Sequence, residues 1–348
     1  MASTEEHVSA VFKALLGRLP ESRTAIDTHV MAQDLEALIL SISGSLEYQL
    51  RTRPGPLWNY TAIFDPIPLI LKYEKPDRTP VEGHRVNYLG VAVNVDRFFQ
   101  ALKLANGLEP VPIPSNWHTD IAELSAVLRA VDQAGDEFSM VELGCGWGCW
   151  MNISGAAARL AGKRPFLIGI EGDEGHVQFA YEAMATNGFE ESQYKLFRGI
   201  VAARSGKVFF PRQDTAGASW GLEPIFHPDA EKATELRESG AFDELDAIPL
   251  AEVMAERNRI DLLHIDIQGG EAGLIRETLP LLKEKVAYLT IGTHSRLIDG
   301  AIIDILGGDG GWSLEIERPT VFTIHNDQLI TQIDGVQGWR NKAFKVIA

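Results

Sequence analysis

Hydrophobic positions recur at two different periods along this chain. In "VSAVFKALLGRLP", near the start, Val8, Val11, Phe12, Leu15 and Leu16 fall on one face at helical spacing, and Gly17 and Pro20 close the segment. A second apolar stripe runs through "MAQDLEALILSISGSLEYQL". Residues 1 to 53 therefore read as a small helical module, bounded by "RTRPGP" at 51–56. Residues 54–118 hold many prolines and several aromatics, with one short element around "RVNYLGVAV", and read as a linker or cap. The pattern then changes. "TDIAELSAVLRAVDQAG" is an amphipathic helix with a Thr or Asp N-cap. After it come strand "SMVELG", helix 149–161, strand "PFLIGIEG", helix 174–187 and strand "YKLFRGIVA". A less regular stretch leads to helix 249–257, strand "IDLLHIDI", helix 270–283, strand "VAYLTIGTH" and two further strand-like runs. Apolar strands alternating with helices predict a parallel sheet covered on both faces, a doubly wound α/β domain over 119–348.

Composition narrows the function classes. The chain has 348 residues, 45% of them hydrophobic, and carries a formal charge of −16. Phosphate backbones and anionic membrane surfaces demand basic protein surface, so nucleic acid and membrane are not expected partners. Small molecules, glycans and proteins remain, and self-association into a homo-oligomer stays open. No apolar run reaches the roughly 18 residues of a membrane span, and "MASTEEHVSA" lacks the features of a signal peptide. The two cysteines, Cys145 and Cys149, make no disulfide framework, so the cytoplasm is the expected compartment.

Both cysteines flank the densest glycine cluster, "VELGCGWGCW" at 141–150. A strand followed by a glycine turn and a helix is the arrangement that seats a nucleotide at a helix N-terminus. The spacing here is G-x-G-x-G (Gly144, Gly146, Gly148), not the G-x-G-x-x-G of dinucleotide sites. Glu142 precedes it, where a carboxylate repels a pyrophosphate but suits a cationic, amino-acid-like ligand. Glu171, followed by Gly172, ends the next strand at the position of a ribose-reading acid. Two acids and three glycines so placed fit S-adenosylmethionine better than NAD. The alternative is a tight turn with an acid that only complements a helix dipole. Cys145 and Cys149 read as small residues in tight space.

The motifs "VELGCGWG", "GIEGD", "EAMATNGF", "GIVAARSGKVFF" and "IDLLHIDIQGGEAGLIRETLPLL" together resemble the FkbM-type S-adenosylmethionine-dependent methyltransferases. The resemblance covers roughly residues 80–340. It implies a Rossmann-like class I methyltransferase sheet, S-adenosylmethionine bound by Glu142, Gly144, Cys145, Gly146, Gly148, Glu171, Gly172 and Val201, and a hydroxyl acceptor. In the late motif the chain keeps Asp266, Gly269 and Glu271, with His264 for the usual lysine and Gln268 for the usual glutamate. "LLGRLPE" and "SGSLEY" in the first fifty residues resemble a small helical domain attached to bacterial surface-glycan enzymes.

Methyl transfer is an in-line displacement that needs alignment and, for a hydroxyl acceptor, a base. Asp266 and His294 both stand at predicted C-terminal strand ends, where α/β sheets place ligands. His294 is a candidate base, with an ordinary pKa of about 6.5; Asp266 can orient the acceptor, act as base or hold a metal. Glu271 reads as a first-turn helix acid. No metal site is expected, because a divalent ion needs two or three converging ligands and only Asp266 is placed. Trp220, in "GASWGLEPIFH", is a candidate to stack on an acceptor ring, and Trp117 and His118, in "PSNWHTD", are candidates for a lid. The leading expectation is an O-methyltransferase acting on a sugar, a glycan or a glycosylated natural product. An NAD-dependent sugar oxidoreductase is the alternative, opposed by the glycine spacing and by the missing Tyr-x-x-x-Lys pair. A non-catalytic binder of the same cofactor is a third.

Overall fold

The computed structural model describes residues 3–16, 19–20, 22–45, 48, 55–94, 107–215 and 217–346. Internal contacts divide the chain into two units, 1–55 and 56–348. Most of the boundary motif at 51–56, together with Gly17, Arg18, Glu21, Leu46 and Glu47 of the two N-terminal motifs, lies outside the described residues.

Among the described residues, the first unit includes helices α1 (Glu5–Leu16), α2 (Arg23–Val30) and α3 (Leu35–Ser43). Ser22 and Asp34 cap the second and third by accepting from Ala25 N and Ala37 N. Val8, Val11, Phe12 and Leu16 on α1 meet Leu38 and Ile42 on α3 in a small core, so the helical stripe marked the buried face.

The second unit opens with strand β1 (Thr61–Ala62), helix α4 (Pro66–Lys72) and short strands β2 (His84–Val86), β3 (Ala92–Asn94) and β4 (Gly107–Leu108). Helix α5 (Ile121–Gln133) follows, capped by Asp120, then β5 (Glu137–Leu143), α6 (Cys149–Leu160), β6 (Arg164–Glu171), α7 (Glu174–Thr186) and β7 (Tyr194–Arg198). Strands β8 (Ile200–Ala202), β9 (Gly206–Pro211), β10 (Ile225–Phe226) and β11 (Phe242–Pro249) come next, with α8 (Ala230–Ser239) before β11 and α9 (Leu250–Val253) after it. The chain ends with β12 (Leu262–Ile265), α10 (Glu271–Lys285), β13 (Tyr288–Thr293), α11 (Arg296–Ile302), β14 (Trp312–Arg318), β15 (Val321–His325), β16 (Gln328–Ile333) and β17 (Gly335–Asn341).

Eight strands form the main sheet in the order β1-β14-β17-β13-β12-β5-β6-β7. The run from β13 to β7 is parallel, while β17 and β14 are antiparallel, which is the doubly wound α/β arrangement the alternating pattern predicts. Chain order reverses between β5 and β12. Ligands of such sheets bind outside the carboxyl ends of strands at this switch point.

Three features differ from the sequence expectation. The segment read as a linker or cap is built into the second unit, since β1 pairs with β14 and Ile70, Tyr73, Tyr88 and Val91 enter its core. The run "YKLFRGIVA" divides: β7 completes the main sheet, while β8 turns into a second sheet, β10-β9-β11-β8. Helix 249–257 shrinks to the single turn of α9. An apolar run does not say which sheet its edges will find, so these differences arise from pairing over long separations.

Candidate active site

The glycine turn leaves β5 at Leu143 and enters α6 at Cys149, with Gly144, Gly146 and Gly148 all at positive φ. Two of the three are forced. At Gly144 (φ 74°) a Cβ would collide with the backbone carbonyl of Asp266. At Gly146 (φ 51°) it would stand 2.8 Å from the Trp220 ring. The turn is thus pressed between the loop after β12 and an aromatic cover, a geometry closed to residues with side chains.

Glu171, at the end of β6, accepts from Gly146 N and Asp173 N, both at 2.8 Å, and ties the turn to the start of α7. Glu142 accepts from Trp150 N at 3.2 Å and Met151 N at 2.8 Å, so its carboxylate caps α6. That is the helix-dipole role weighed against ligand pairing in the sequence, although Glu142 also touches the cavity described below. Burial pushes Glu142 up to about 8, against the lowering influence of His264 and the two N–H groups. Burial likewise raises Glu171, opposed by His176 and its backbone donors.

A cavity of about 1040 Å³ opens over these strand ends. Every residue expected to hold the cofactor touches it except Gly148, which starts α6 just behind. Cys145 is buried, with its sulfur against the spot where a Cβ on Gly169 would stand. A second cavity of about 590 Å³ lies beside the first and shares Trp117, His118, Glu123 and Asp266 with it. Asp266 therefore stands at the junction.

Asp266 immediately follows β12, and His294 immediately follows β13. His294 Nε2 lies 3.1 Å from Asp266 Oδ1, and its Nδ1 lies 3.2 Å from Glu271 Oε1. Burial lowers the imidazole, but hydrogen bonds and charge from Asp266 and Glu271 outweigh it and lift His294 to about 10. The same partnership outweighs burial at Asp266 and holds it below its ordinary range. An imidazole already protonated at neutral pH takes no further proton, so the base candidate of the pair becomes Asp266. Glu271 is more than a first-turn helix acid. It is fully buried, and it accepts from Ile267 N and Gly269 N, fixing the loop that follows β12.

The aromatic candidates separate. Trp220 lies over Gly146 and 4.3 Å from the His176 ring, and it lines the large cavity. Trp117 and His118 line both cavities and are tethered: Trp117 Nε1 donates to buried Glu109, and His118 Nε2 is 3.5 Å from the same carboxylate. Their anchor Glu109 went unread in the sequence, as did Glu123, whose Oε1 accepts from His264 Nε2 at 2.9 Å. Partners 141 positions apart leave no local signal.

No family model matches the chain. A protein of Jannaschia sp. (strain CCS1), named "Putative methyltransferase", is 39% identical over 271 residues, covering 78% of this chain and 96% of that protein. The chain belongs to this methyltransferase family. Solved structures aligned with this methyltransferase include precorrin-6y C5,15-methyltransferase from Geobacter metallireducens GS-15, at 10% identity over 71% of this chain and 95% of that one, TM-score 0.37. Another is from Pyrococcus horikoshii, described as "putative RNA methyltransferase PH1948", at 13% identity over 69% and 91%, TM-score 0.35. Among the described residues of this methyltransferase, no helix is long and apolar enough to cross a membrane.

Proposed function

We propose that this methyltransferase uses S-adenosylmethionine to methylate a hydroxyl of a sugar, a glycan or a glycosylated natural product. The observation that carries the reading is one cavity with two unlike walls: the glycine turn with Glu171 on one side, and Asp266 on the other. The residues present fit the cofactor. The turn lets backbone approach a ligand closely, and Glu171 stands at the strand end where ribose hydroxyls are read. Glu142, Glu171 and Asp266 line the same space. When bound, S-adenosylmethionine supplies a methyl group already activated for displacement.

What remains for the chain is positioning and proton handling. Glu171 and Gly146 hold the turn rigid. Asp266 accepts a hydrogen bond from the acceptor hydroxyl and takes its proton, while His294 and the loop pinned by Glu271 keep that carboxylate in place. The hydroxyl and glycan classes rest on the FkbM-type resemblance, and the acidic chain agrees with an uncharged acceptor.

Calorimetry with S-adenosylmethionine and NAD tests the cofactor. S-adenosylmethionine alone should bind, and Glu171→Ala should weaken it about 30- to 1000-fold, the loss of one to two charged hydrogen bonds. Unchanged affinity in a folded Glu171→Ala chain defeats the assignment. Mass spectrometry of products from a panel of neutral glycosides tests the acceptor class; transfer to nitrogen or carbon would replace it.

A further inference from the structure

Three side-chain atoms at the junction of the two cavities form a nearly equilateral triangle. Asp266 Oδ1 is 3.1 Å from His294 Nε2. The Gln268 amide nitrogen is 3.1 Å from that same oxygen and 2.9 Å from that same ring nitrogen. A half-turn of the Gln268 amide about its last bond exchanges Nε2 for Oε1, and with Nε2 of His294 unprotonated all three corners then present lone pairs. Ligands about 2.1 Å from a Mg²⁺-sized ion, at adjacent corners of an octahedron, are about 3.0 Å apart. The triangle has that edge length.

The histidine is also aimed as a metal ligand is aimed. Its Nδ1 is buried and faces Glu271 Oε1 at 3.2 Å. Glu271 is itself anchored by Ile267 N and by Gly269 N, at 3.0 to 3.1 Å. A carboxylate behind one ring nitrogen fixes the tautomer and leaves the other nitrogen to coordinate. Donor atoms of Asp266, Glu271 and His294 all lie within 4.8 Å of one another. Glu271, fully buried and committed to backbone donors, serves this group from behind.

We propose that Asp266, Gln268 and His294 form one face of a site for a hard divalent cation such as Mg²⁺ or Mn²⁺, with Glu271 as the outer carboxylate. Of the three remaining positions of the octahedron, two take neighbouring oxygens of a polyhydroxylated acceptor entering from the larger cavity, which Asp266 and Gln268 line, and the third takes a water. Sequence placed Asp266 firmly by motif and set His294 at a neighbouring strand end; the fold brings His294 and Gln268 within 3.1 Å of it. The acceptor's part in this rests on the methyltransferase reading, whereas ion binding itself does not.

The test uses the full chain, stripped with a chelator and titrated with Mn²⁺ while free Mn²⁺ is followed by electron paramagnetic resonance. S-adenosylhomocysteine affinity is measured on the same samples. One tight equivalent is expected, weakened at least tenfold by His294→Ala and by Gln268→Ala and strengthened by Gln268→Glu. Absence of a tight equivalent in the parent chain overturns the site. So does an equivalent that survives both alanine changes, which would belong to the acidic surface. Retained S-adenosylhomocysteine affinity shows that each variant is folded. Mn²⁺ bound as expected, with no such affinity in the parent chain, upholds the ion site and removes the methyltransferase reading alone.

Discussion

The two walls of the large cavity are held by different kinds of partner. On the cofactor wall the carboxylates of Glu142 and Glu171 bond to backbone N–H groups, at positions 2 to 25 residues away. On the acceptor wall side chains bond to side chains brought together by the fold. Gln268 meets His294 across 26 positions and Glu123 meets His264 across 141, while beside the smaller cavity Asp120 meets Arg318 across 198. A backbone donor is present whatever residue occupies its position, so the first wall tolerates change in its neighbours. The second wall loses a partner whenever one of these paired side chains is replaced. A methyltransferase that keeps its donor while changing its acceptor needs that asymmetry.

The strongest way to break the comparison is Asp266→Asn. It should lower turnover about 10²- to 10⁴-fold while S-adenosylhomocysteine affinity stays within a few-fold. Equal losses in rate and affinity would mean that the two walls are one unit. Next in size, Gly144→Ala should cost about 2–5 kcal/mol of stability, from left-handed strain and from collision with the Asp266 carbonyl. It should damage both walls at once; denaturant unfolding and calorimetry on the variant check this.

A third prediction concerns pH and the cofactor wall alone. Glu142, held up to about 8 by burial, binds its proton in the folded chain at pH values where the unfolded chain has released it. Stability should therefore fall as pH rises between about 4.5 and 8 and level off above. Across that window the parent chain should lose on the order of 2–4 kcal/mol more than Glu142→Gln does, since each tenfold difference in proton affinity between folded and unfolded chain is worth about 1.4 kcal/mol. Parallel urea-midpoint curves for the two proteins would show that Glu142 does not titrate there. The smallest expected effect comes from deleting residues 1–55. A chain beginning at Pro56 retains all four described sheets, and its S-adenosylhomocysteine affinity should remain within a few-fold of the full chain; an insoluble product would refute this.

Legibility in the sequence followed the same division. Gly144, Gly146 and Glu171 announce themselves because a strand, a turn of fixed spacing and the next strand end are all local patterns. The same holds for the alternating core and for the buried face of α1. Asp266 and His294 could be placed at strand ends. Their shared partners could not, because Gln268 and Glu271 meet His294 only once β13 lies beside β12. The small sheet and the β15–β16 hairpin were missed for a related reason: short strands become strands only when a partner arrives. His294 was read as a base from its ordinary titration range, and two carboxylates contributed by the fold moved it out of that range.

The Gly144 turn touches the Asp266 carbonyl, main chain against main chain. Spacing between the end of β5 and the loop after β12 is thereby set by the thickness of two peptide units and by no side chain. It acts as a mechanical stop. Any side chain at position 144 would have to push that loop outward, so the gap between the two strand ends is gauged by backbone alone.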